Sequence, residues 1–600
     1  MNVPAGSRIA KLRATMARHG VAAVVVPTAD PHLSEYLPAR WQSRAYLSGF
    51  TGSAGTLIVT GEHAGLWTDS RYFSQAERQL EGTGIELMRL RVAHGPEHLD
   101  WLRRHLRTGQ TVAIAGDCLS LAARRQLEEA ARSAGATLRV DLDLPGEIWA
   151  DRPALPDAPI RAHPQRYAGA TRAEKLARIR AAMRGHGATH HLLSSLDDIA
   201  WSTNLRGRDV ECNPVFLGHL LISTAGGATL FVDPAKIDAS LAADLAADGI
   251  ELAAYEAVAR ALAALGTGDA LLFDASRVVV AVIAGLPATV RIVEGANPST
   301  TFKAVKSADE LGHVREAMRQ DGAALVRAFR RLEQRLSDGT ATSELTVDEL
   351  LREERSAAAD WVGESFTTIA GYQANGALPH YRATPESHAR LRTEGLLLVD
   401  SGGQYLGGTT DVTRVLALGE VSAEQRRDSA LVLKGLIALS RARFPKGASG
   451  PQLDALARAP LWAAGCDYGH GTGHGVGYFL NVHEGPQGIR PPAAGAALVA
   501  LEPGMISSIE PGLYKPERYG IRHENLVVVV EAERTEFGEF LAFDVLTLCP
   551  FDRRTFDAGL LDEVERAWVD AYHRRVYGAL APLLQGADLD WLRRHCAPLN

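Results

Sequence analysis

Part of the first third of the chain recurs in the second third, and this repeat limits the folds open to it. Residues 12–20, LRATMARHG, resemble residues 179–187, IRAAMRGHG, and a strand-like segment follows each. Residues 60–69, TGEHAGLWTD, resemble residues 224–233, TAGGATLFVD, and both read as paired strands around a turn with glycine. Segments repeated in the same order indicate two similar α/β domains. Chance similarity between short helices rich in alanine and arginine is the alternative, and no functional inference depends on the repeat.

The length of the chain and two breaks in its pattern predict three domains. At 600 residues the chain exceeds what one hydrophobic core serves. Residues 144–167 are dense in proline, which removes backbone donors and ends helices, so we place a linker there. Residues 307–310, SADE, form a capping box ahead of a helical stripe. We therefore predict domains over residues 1–150, 151–302 and 303–600, and we expect the third to be α+β.

The composition argues against several classes of protein. A net charge of −7 without a long basic run argues against a nucleic-acid partner. The five cysteines are far apart and form no C-x-x-C pair, which argues against a disulfide framework and favours a reducing compartment. The N-terminus lacks a secretory apolar core, and the apolar run at residues 278–286 is far shorter than the ~20 residues of a membrane span. We expect a soluble, cytoplasmic protein without a membrane partner.

Four carboxylates in the third region lie at the ends of strand-like segments. Asp400 ends LLLVD, and Asp411 begins the next strand after a glycine-rich turn, so a hairpin could bring the two together. Glu510 ends MISSIE ahead of Pro-Gly, and Glu524 precedes NLVVVVE. Taken singly, an aspartate at such a place is usually a cap and a glutamate is usually solvated. Taken together, several carboxylates at strand ends of one domain suit hard divalent cations.

Three histidines lie in or near a run of glycines, YGHGTGHGVGYFLNVHEGP. They are His470, His474 and His483, and the glycines let the backbone come close to a ligand. Imidazole is a common metal ligand, so one or more of them could bind an ion, and capping of turns is the alternative. The zinc-protease pattern H-E-x-x-H is absent, and so are the P-loop and the dinucleotide fingerprint.

These motifs resemble the aminopeptidase P (Xaa-Pro aminopeptidase) family of pita-bread peptidases, in its long, three-domain, cytosolic type. The resemblance covers nearly the whole chain and is strongest in DSGGQYLGGTTDVTR, HGTGHGVGYFLNVHEGP, IEPGLY and GIRHEN. Further similarity lies in AYLSGFTGSAGTLIV, LWTDSRYF and DDIAWSTNLRG. The resemblance implies two similar N-terminal α/β domains followed by a C-terminal pita-bread α+β catalytic domain.

The resemblance also implies a set of functional residues and a reaction. The metal ligands would be Asp400, Asp411, His474, Glu510 and Glu524, with Asp411 and Glu524 shared by two ions. His380, His470 and His483 would position substrate or handle protons together with Glu510, while Tyr514 and Arg522 would lie beside the proline pocket and Arg71 would contact peptide. A hydroxide between the ions would attack the bond that precedes proline.

The same resemblance implies partners and leaves rivals. It favours Mn²⁺, although a site rich in oxygen also accepts Co²⁺ or Zn²⁺. Its substrates would be small peptides with proline in second position, and the chain would form a homodimer. A prolidase acting on dipeptides is the nearest rival, and a non-catalytic peptide-binding protein or a creatinase-like hydrolase without metal is disfavoured because every ligand position is filled. His523 and Leu513 depart from residues common in the family, which leaves the fine shape of the pocket open.

Overall fold

The computed structural model describes residues 4–91, 95–492 and 498–599, and the chain divides into two compact units. The first unit comprises Met1–Gln165 and Ala170–Thr300, and the second comprises Arg166–Gly169 and Thr301–Asn600.

The first half of the first unit is a six-stranded sheet with helices on both faces. The strand order is β4-β3-β2-β1-β5-β6, with β1–β2 and β2–β3 antiparallel and the other pairs parallel. The strands are β1 (Ala23–Pro27), β2 (Thr56–Thr60), β3 (Ala64–Thr68), β4 (Glu86–Arg89), β5 (Thr111–Ala113) and β6 (Thr137–Arg139). The helices are α1 (Ala5–Arg18), α2 (Ser43–Ser48), α3 (Phe73–Leu80), α4 (Glu97–His105), α5 (Leu121–Ser133) and α6 (Leu144–Ile148).

Strand β1 shows why both faces of this sheet are covered. Its residues alternate between two apolar clusters, because successive side chains of a strand point to opposite faces. Val24 and Val26 pack with residues of α1 such as Leu12, whereas Val25 packs with Leu102 of α4. A strand with both faces buried reads as a continuous apolar run, as AVVV does here.

The second half of the first unit repeats this architecture. Its sheet has the order β12-β11-β10-β8-β13-β14, with parallel and antiparallel pairs at the same places as in the first sheet. The strands are β7 (Arg161–Ala162), β8 (His190–Leu193), β9 (Leu205–Arg206), β10 (His219–Ser223), β11 (Ala228–Phe231), β12 (Ile250–Ala253), β13 (Ala270–Phe273) and β14 (Arg291–Glu294). The helices are α7 (Arg172–Gly185), α8 (Leu196–Thr203), α9 (Ala239–Ala247), α10 (Val258–Ala263), α11 (Val280–Ile283) and α12 (Pro298–Ala304). The repeat predicted from the sequence is therefore a repeat of structure.

The second unit is α+β. Its helices are α13 (Ala308–Ser337), α14 (Glu344–Ser356), α15 (Ala423–Ser440), α16 (Gly450–Ala463), α17 (Glu563–Leu580) and α18 (Gly586–His595). Its strands are β15 (Trp361–Glu364), β16 (Ile369–Tyr372), β17 (Leu396–Ser401), β18 (Gly403–Tyr405), β19 (Gly408–Thr409), β20 (Val412–Ala417), β21 (Arg443–Pro445), β22 (Gly473–His474), β23 (Gly488–Ile489), β24 (Ile506–Ile509), β25 (Gly512–Lys515), β26 (Tyr519–Arg522), β27 (Asn525–Thr535) and β28 (Gly538–Val545). Every pair that these strands form is antiparallel.

Two antiparallel sheets of this unit carry the predicted strand-end carboxylates. The first has the order β16-β17-β20 and the second the order β21-β28-β27-β24. Helix α13 begins at the predicted capping box, where Ser307 Oγ accepts from the Glu310 N–H (3.2 Å). Its apolar face, including Met318 and Phe329, enters the same core as the strands. The five cysteines carry free thiols, and none of the helices in the described ranges has the length and apolarity needed to cross a bilayer.

Candidate metal centre

The carboxylates at the strand ends come together because the strands that carry them are neighbours. Asp400 lies in β17, paired with Thr413 of β20, and Asp411 directly precedes β20. Between them, β18 and β19 form a small hairpin of their own. Glu524 lies one residue before β27, and its N–H donates to Thr413 O (3.2 Å). The pairing of β17 with β20 thus places Asp400 near Asp411, as the predicted hairpin requires, and the bond to Thr413 adds Glu524.

A histidine and a fourth carboxylate complete the group. One ligand atom from each of Asp411, His474 and Glu524 lies within 4.8 Å of the others. His474 Nε2 is 3.5 Å from Asp411 Oδ2 and 3.4 Å from Glu510 Oε1. His474 and Glu510 are partly exposed, with 23% and 19% of their side chains accessible, so the group is open on one side.

Backbone contacts orient the imidazole of His474. Its Nδ1 donates to Gly475 O (3.0 Å), which leaves Nε2 to face the carboxylates. The His474 N–H donates to Ser508 Oγ (2.9 Å), and this fixes the main chain of β22. A hydrogen bond at one ring nitrogen sets the tautomer in which the other nitrogen can bind a metal.

Three of the four carboxylates have a hydrogen-bond partner on one oxygen. Thr413 Oγ1 donates to Glu524 Oε2 (2.8 Å), and Ser508 Oγ donates to Glu510 Oε1 (3.2 Å). Arg522 Nη2 donates to Asp400 Oδ2 (2.6 Å). The other oxygen of Asp400, Oδ1, is buried and has no hydrogen-bond partner among the residues that the structure describes. A buried oxygen of this kind is costly unless something else satisfies it.

The electrostatics of the group favour a cation. Burial is the largest effect and raises the pKa of Asp400 to about 7, although Arg522 lowers it; Asp411 and Glu510 raise it further. Burial and the neighbouring carboxylates raise the pKa of Glu524 well above its usual value. Burial alone would lower the pKa of His474, but Asp411 and Glu510 raise it to about 9. A set of carboxylate oxygens with one imidazole fits divalent ions. An ion bound there would also satisfy the unpartnered Oδ1 of Asp400.

A hydrogen-bonded chain leads from Asp400 to a second histidine. Arg522 donates from Nη1 to Tyr514 OH (2.7 Å), and Tyr514 OH lies 2.8 Å from His470 Nε2. His470 Nδ1 donates to Gly471 O (2.7 Å), so Nε2 accepts from the phenol when the ring is neutral. Burial lowers the pKa of His470 to about 4 and raises that of Tyr514 to about 12. This series of hydrogen bonds therefore joins a fixed cation, Arg522, to the neutral phenol of Tyr514 and then to the neutral imidazole of His470.

The remaining predicted residues lie at different distances from this group. The ring of His483 contacts that of His474, with centroids 4.3 Å apart. His380 is partly exposed and follows Pro379, whose carbonyl accepts from Arg522 Nη2 (3.4 Å). Arg71 belongs to the first unit, where its guanidinium holds both oxygens of Asp69 at 2.7 and 2.8 Å.

Two residues with a place in this group were missed by the sequence analysis. Thr413 lies two positions after Asp411, and Ser508 lies two positions before Glu510. Residues two apart on a strand share a face, so a hydroxyl at that spacing from a carboxylate is a signal that could have found both. His523, a departure noted above, turns elsewhere: its Nε2 lies 2.9 Å from Ser429 Oγ.

Family models match four stretches of the chain. Residues 312–531 match the model described as metallopeptidase family M24, and residues 539–599 match the C-terminal region of peptidase M24. Residues 8–143 and 151–310 each match a creatinase/prolidase N-terminal domain. Together with the clustered ligand-type side chains, they define a metallopeptidase with two creatinase-type domains ahead of a pita-bread domain.

Individual relatives span the whole chain. A probable Xaa-Pro aminopeptidase P of Laccaria bicolor is 38% identical over 99% of this chain and 93% of its own length. Aminopeptidase P2 of Arabidopsis thaliana is 38% identical over 97% of this chain and 86% of its own length. The crystal structure of an X-prolyl aminopeptidase from Caenorhabditis elegans, described as a cytosolic enzyme with a di-nuclear active site, covers 100% of both chains with a TM-score of 0.94 and 32% identity. The chain belongs to the aminopeptidase P family and is a hydrolase, so the predicted family and fold class are confirmed.

Proposed function

We propose that this chain is a metal-dependent aminopeptidase that removes an N-terminal residue from peptides with proline in second position. The observation that carries the proposal is the convergence of Asp411, His474 and Glu524 within 4.8 Å. Asp400 and Glu510 adjoin them, and both carboxylates raise the pKa of Glu524. Whole-length similarity to proteins named for this activity supports the choice of substrate.

Five residues would hold two divalent ions. We assign Asp411 and Glu524 to both ions, and Asp400, His474 and Glu510 to one ion each. Bound there, the ions would supply a shared hydroxide as nucleophile and positive charge beside the scissile carbonyl. Mn²⁺ is the proposed metal, with Co²⁺ and Zn²⁺ as alternatives, since ligands of this type accept all three. The description of the nematode enzyme as di-nuclear supports a pair of ions.

Other side chains would act on the peptide. His483 is close enough to His474 to donate towards the oxygen on which charge develops, and His380 would bind substrate beside it. Glu510, partly exposed at the open side, would take up or deliver a proton, and His470 would assist it through Tyr514. Tyr514 and Arg522 would line the proline pocket. Neutral His470 and Tyr514 would add no charge to that pocket beyond the guanidinium of Arg522.

Selectivity for proline follows from the chemistry of that residue. The nitrogen of proline carries no hydrogen, and its ring fixes φ, so peptidases that bind the scissile N–H handle this bond poorly. A pocket shaped for the ring can select it instead. Tyr514 and the guanidinium of Arg522 would form the wall of such a pocket.

We also propose a cytoplasmic location, a homodimer and the domain limits 1–150, 151–302 and 303–600. The division of the chain at Thr300 and the two like-ordered sheets support these limits. The description of the nematode enzyme as cytosolic supports the location. The homodimer rests on the family resemblance.

Hydrolysis of a peptide panel tests the function. Purified protein, stripped by a chelator and then given Mn²⁺, should release the first residue from Xaa-Pro-Xaa tripeptides. The same peptides with alanine in second position should be cleaved far more slowly, and chelation should abolish all cleavage. Cleavage restricted to Xaa-Pro dipeptides would indicate a prolidase. Full activity in protein shown by elemental analysis to be metal-free would exclude the proposed chemistry.

A further inference from the structure

The loop that carries His470 is tied to helix α16. This loop, residues 467–472, runs from the end of α16 towards β22 and contains two glycines, Gly469 and Gly471. Glycine loses the most conformational freedom on ordering, so a loop of this composition needs external contacts to hold one conformation. Arg458 and Asp454, one turn apart on α16 and buried, supply such contacts.

Arg458 uses three of its nitrogen atoms on this loop and on its own helix. Its Nη2 donates to His470 O (2.7 Å), and its Nη1 donates to Tyr468 O (2.7 Å) and to Asp467 Oδ1 (2.9 Å). Its Nε donates to Asp454 Oδ2 (2.7 Å). The guanidinium also lies 3.9 Å from the centroid of the Tyr468 ring. A planar cation with forked donors can satisfy this set of acceptors, whereas an ammonium cannot reach them together.

Asp454 extends the tie to the strand that carries Glu510. Its Oδ1 accepts from Thr472 Oγ1 (2.5 Å), and that hydroxyl is 2.6 Å from Tyr468 OH. Thr472 O accepts from the Glu510 N–H (2.7 Å). The helix therefore fixes the loop at its start through Arg458 and at its end through Thr472.

Beyond the loop, the contacts continue to a predicted ligand. His470 meets Tyr514 OH, Arg522 donates to the same oxygen, and Arg522 holds Asp400. A shift of the His470 backbone would thus move its ring against the phenol that separates it from Arg522. A displacement of about 1 Å remote from the reacting atoms can lower turnover about 100-fold.

We propose that Arg458 is a positioning residue that acts through His470, and that the pair Arg458–Asp454 sets the place of that imidazole beside Tyr514. The inference rests on the proposed function, because it assigns His470 a part in hydrolysis. Arg458 contacts the backbone carbonyl of His470 and not its ring. It therefore affects where the imidazole lies and does not act on the reacting atoms.

A double-mutant cycle measures this dependence. Arg458→Lys keeps the charge and should lower kcat on an Xaa-Pro-Xaa peptide about 10- to 100-fold, with Mn²⁺ content unchanged. In a His470→Ala background the same change should cost less than about 2-fold, because the group it positions is absent. Asp454→Asn, a milder change, should act in the same direction. Losses that multiply in the double variant would overturn the proposal, since Arg458 would then act independently of His470.

Hydrogen exchange gives a readout that does not need activity. In protein loaded with Mn²⁺, Arg458→Lys should speed exchange of amides in residues 467–472 while α15 keeps its protection. Arg443→Lys serves as the matched control, because Arg443 is exposed and paired with Glu533 at the surface. Unchanged exchange in the loop would overturn the proposal, and so would faster exchange with normal kcat. A wild-type protein without Xaa-Pro activity would instead defeat the proposed function, with the exchange result still deciding whether Arg458 holds the loop.

Discussion

At the scale of single residues, hydrogen-bond partners hold three of the four carboxylates of the group in place. Hydroxyls of Thr413 and Ser508 take one oxygen of Glu524 and Glu510, and the guanidinium of Arg522 takes one oxygen of Asp400. Neutral partners leave the charge of the two glutamates available to an ion. Removing a hydrogen bond that orients a metal ligand usually lowers metal affinity or activity 10- to 100-fold.

Removing the charge of a carboxylate that we propose to be shared by two ions should disable the enzyme. We expect Asp411→Asn and Glu524→Gln each to lower turnover more than about 100-fold, beyond the usual cost of an outer contact, because both proposed ions would lose a ligand at once. Steady-state kinetics with elemental analysis of Mn²⁺ per subunit measures the effect. Near-normal turnover in either variant would remove that residue from the ligand set.

His483 should behave differently from the ligands. We expect His483→Ala to lower kcat about 100-fold, the typical cost of a lost oxyanion donor, while Mn²⁺ content stays at the wild-type level. The reason is that its proposed contact is with the substrate oxygen and not with an ion. If metal is lost in proportion to activity, His483 belongs among the ligands.

The raised pKa of His474 predicts how the stability of the metal-free protein depends on pH. Its pKa is raised to about 9 in the folded chain, against ~6.5 when unfolded, so the folded state binds the extra proton between these values. This stability is fully present below pH ~6.5 and is lost as the pH rises through about 9. Asp400, with its pKa raised to about 7, acts in the same direction at lower pH.

Urea unfolding after chelation measures this dependence. The midpoint should fall as pH increases from about 6.5 to 9, and His474→Gln should reduce the slope. Added Mn²⁺ should reverse the trend, because ions replace protons on the ligands and bind more tightly at higher pH. A midpoint of the metal-free protein that rises over this range would contradict the assignment.

At the scale of elements, local sequence patterns predicted many helices and strands, but they did not predict which distant strands contact each other. The strands ending at Asp400 and Glu510 and the cap at Ser307 follow from turn signals and periodicity. The sequence TVDE at residues 346–349 predicts another capping box, but helix α14 begins two residues earlier, at Glu344, because Ser343 serves as its N-cap. The contact of Glu524 with Thr413 joins strands far apart in sequence, and no local signal specifies it. The ligand set came from the resemblance, since each residue alone had an ordinary explanation.

One hexapeptide shows how far local sequence determines an element. DWLRRH occurs at residues 100–105 and at residues 590–595, in different units. In both places it ends a helix, the histidine Nδ1 donates to the tryptophan carbonyl, and the two rings stack, with centroids 4.0 and 3.6 Å apart. The i, i+4 spacing brings the two rings together whatever surrounds the helix.

The close packing of β22 against β24 predicts a glycine that cannot be replaced. A Cβ at Gly473 would lie 1.9 Å from Ser508 O, so Gly473→Ala must shift one backbone against the other and move His474. We expect Mn²⁺ affinity to fall about 10- to 100-fold, measured by titration calorimetry. Gly471→Ala is the control, because its Cβ would meet nothing closer than 3.5 Å. Equal affinities in the two variants would show that the contact is easily relieved.

At the scale of the whole molecule, Arg71 belongs to the first unit although a peptide contact is proposed for it. Its guanidinium binds both oxygens of Asp69 through Nε and Nη2, and although burial lowers its pKa, the bonds to Asp69 raise it overall. A cation held in one orientation is prepared to receive a carbonyl or carboxylate on its remaining donors. A partner subunit could bring this residue to the peptide in the proposed homodimer.

Variants of Arg71 should affect long peptides most. We expect Arg71→Ala to raise KM several-fold for longer Xaa-Pro peptides, with Mn²⁺ content unchanged, since only they would extend to a distant contact. Light scattering should give the mass of a dimer for the wild-type protein. A fully active monomer, or equal kinetics across peptide lengths in the variant, would defeat this interpretation.

The placement of every proposed ligand between Asp400 and Glu524 has a consequence for descent. Mutations in residues 4–165 leave all five proposed ligands in place, so the proposed metal chemistry is inherited while peptide contacts such as that proposed for Arg71 can change. Both six-stranded sheets lie before Asp400, so substitutions in either of them can alter how peptides are admitted without altering the proposed ligand set.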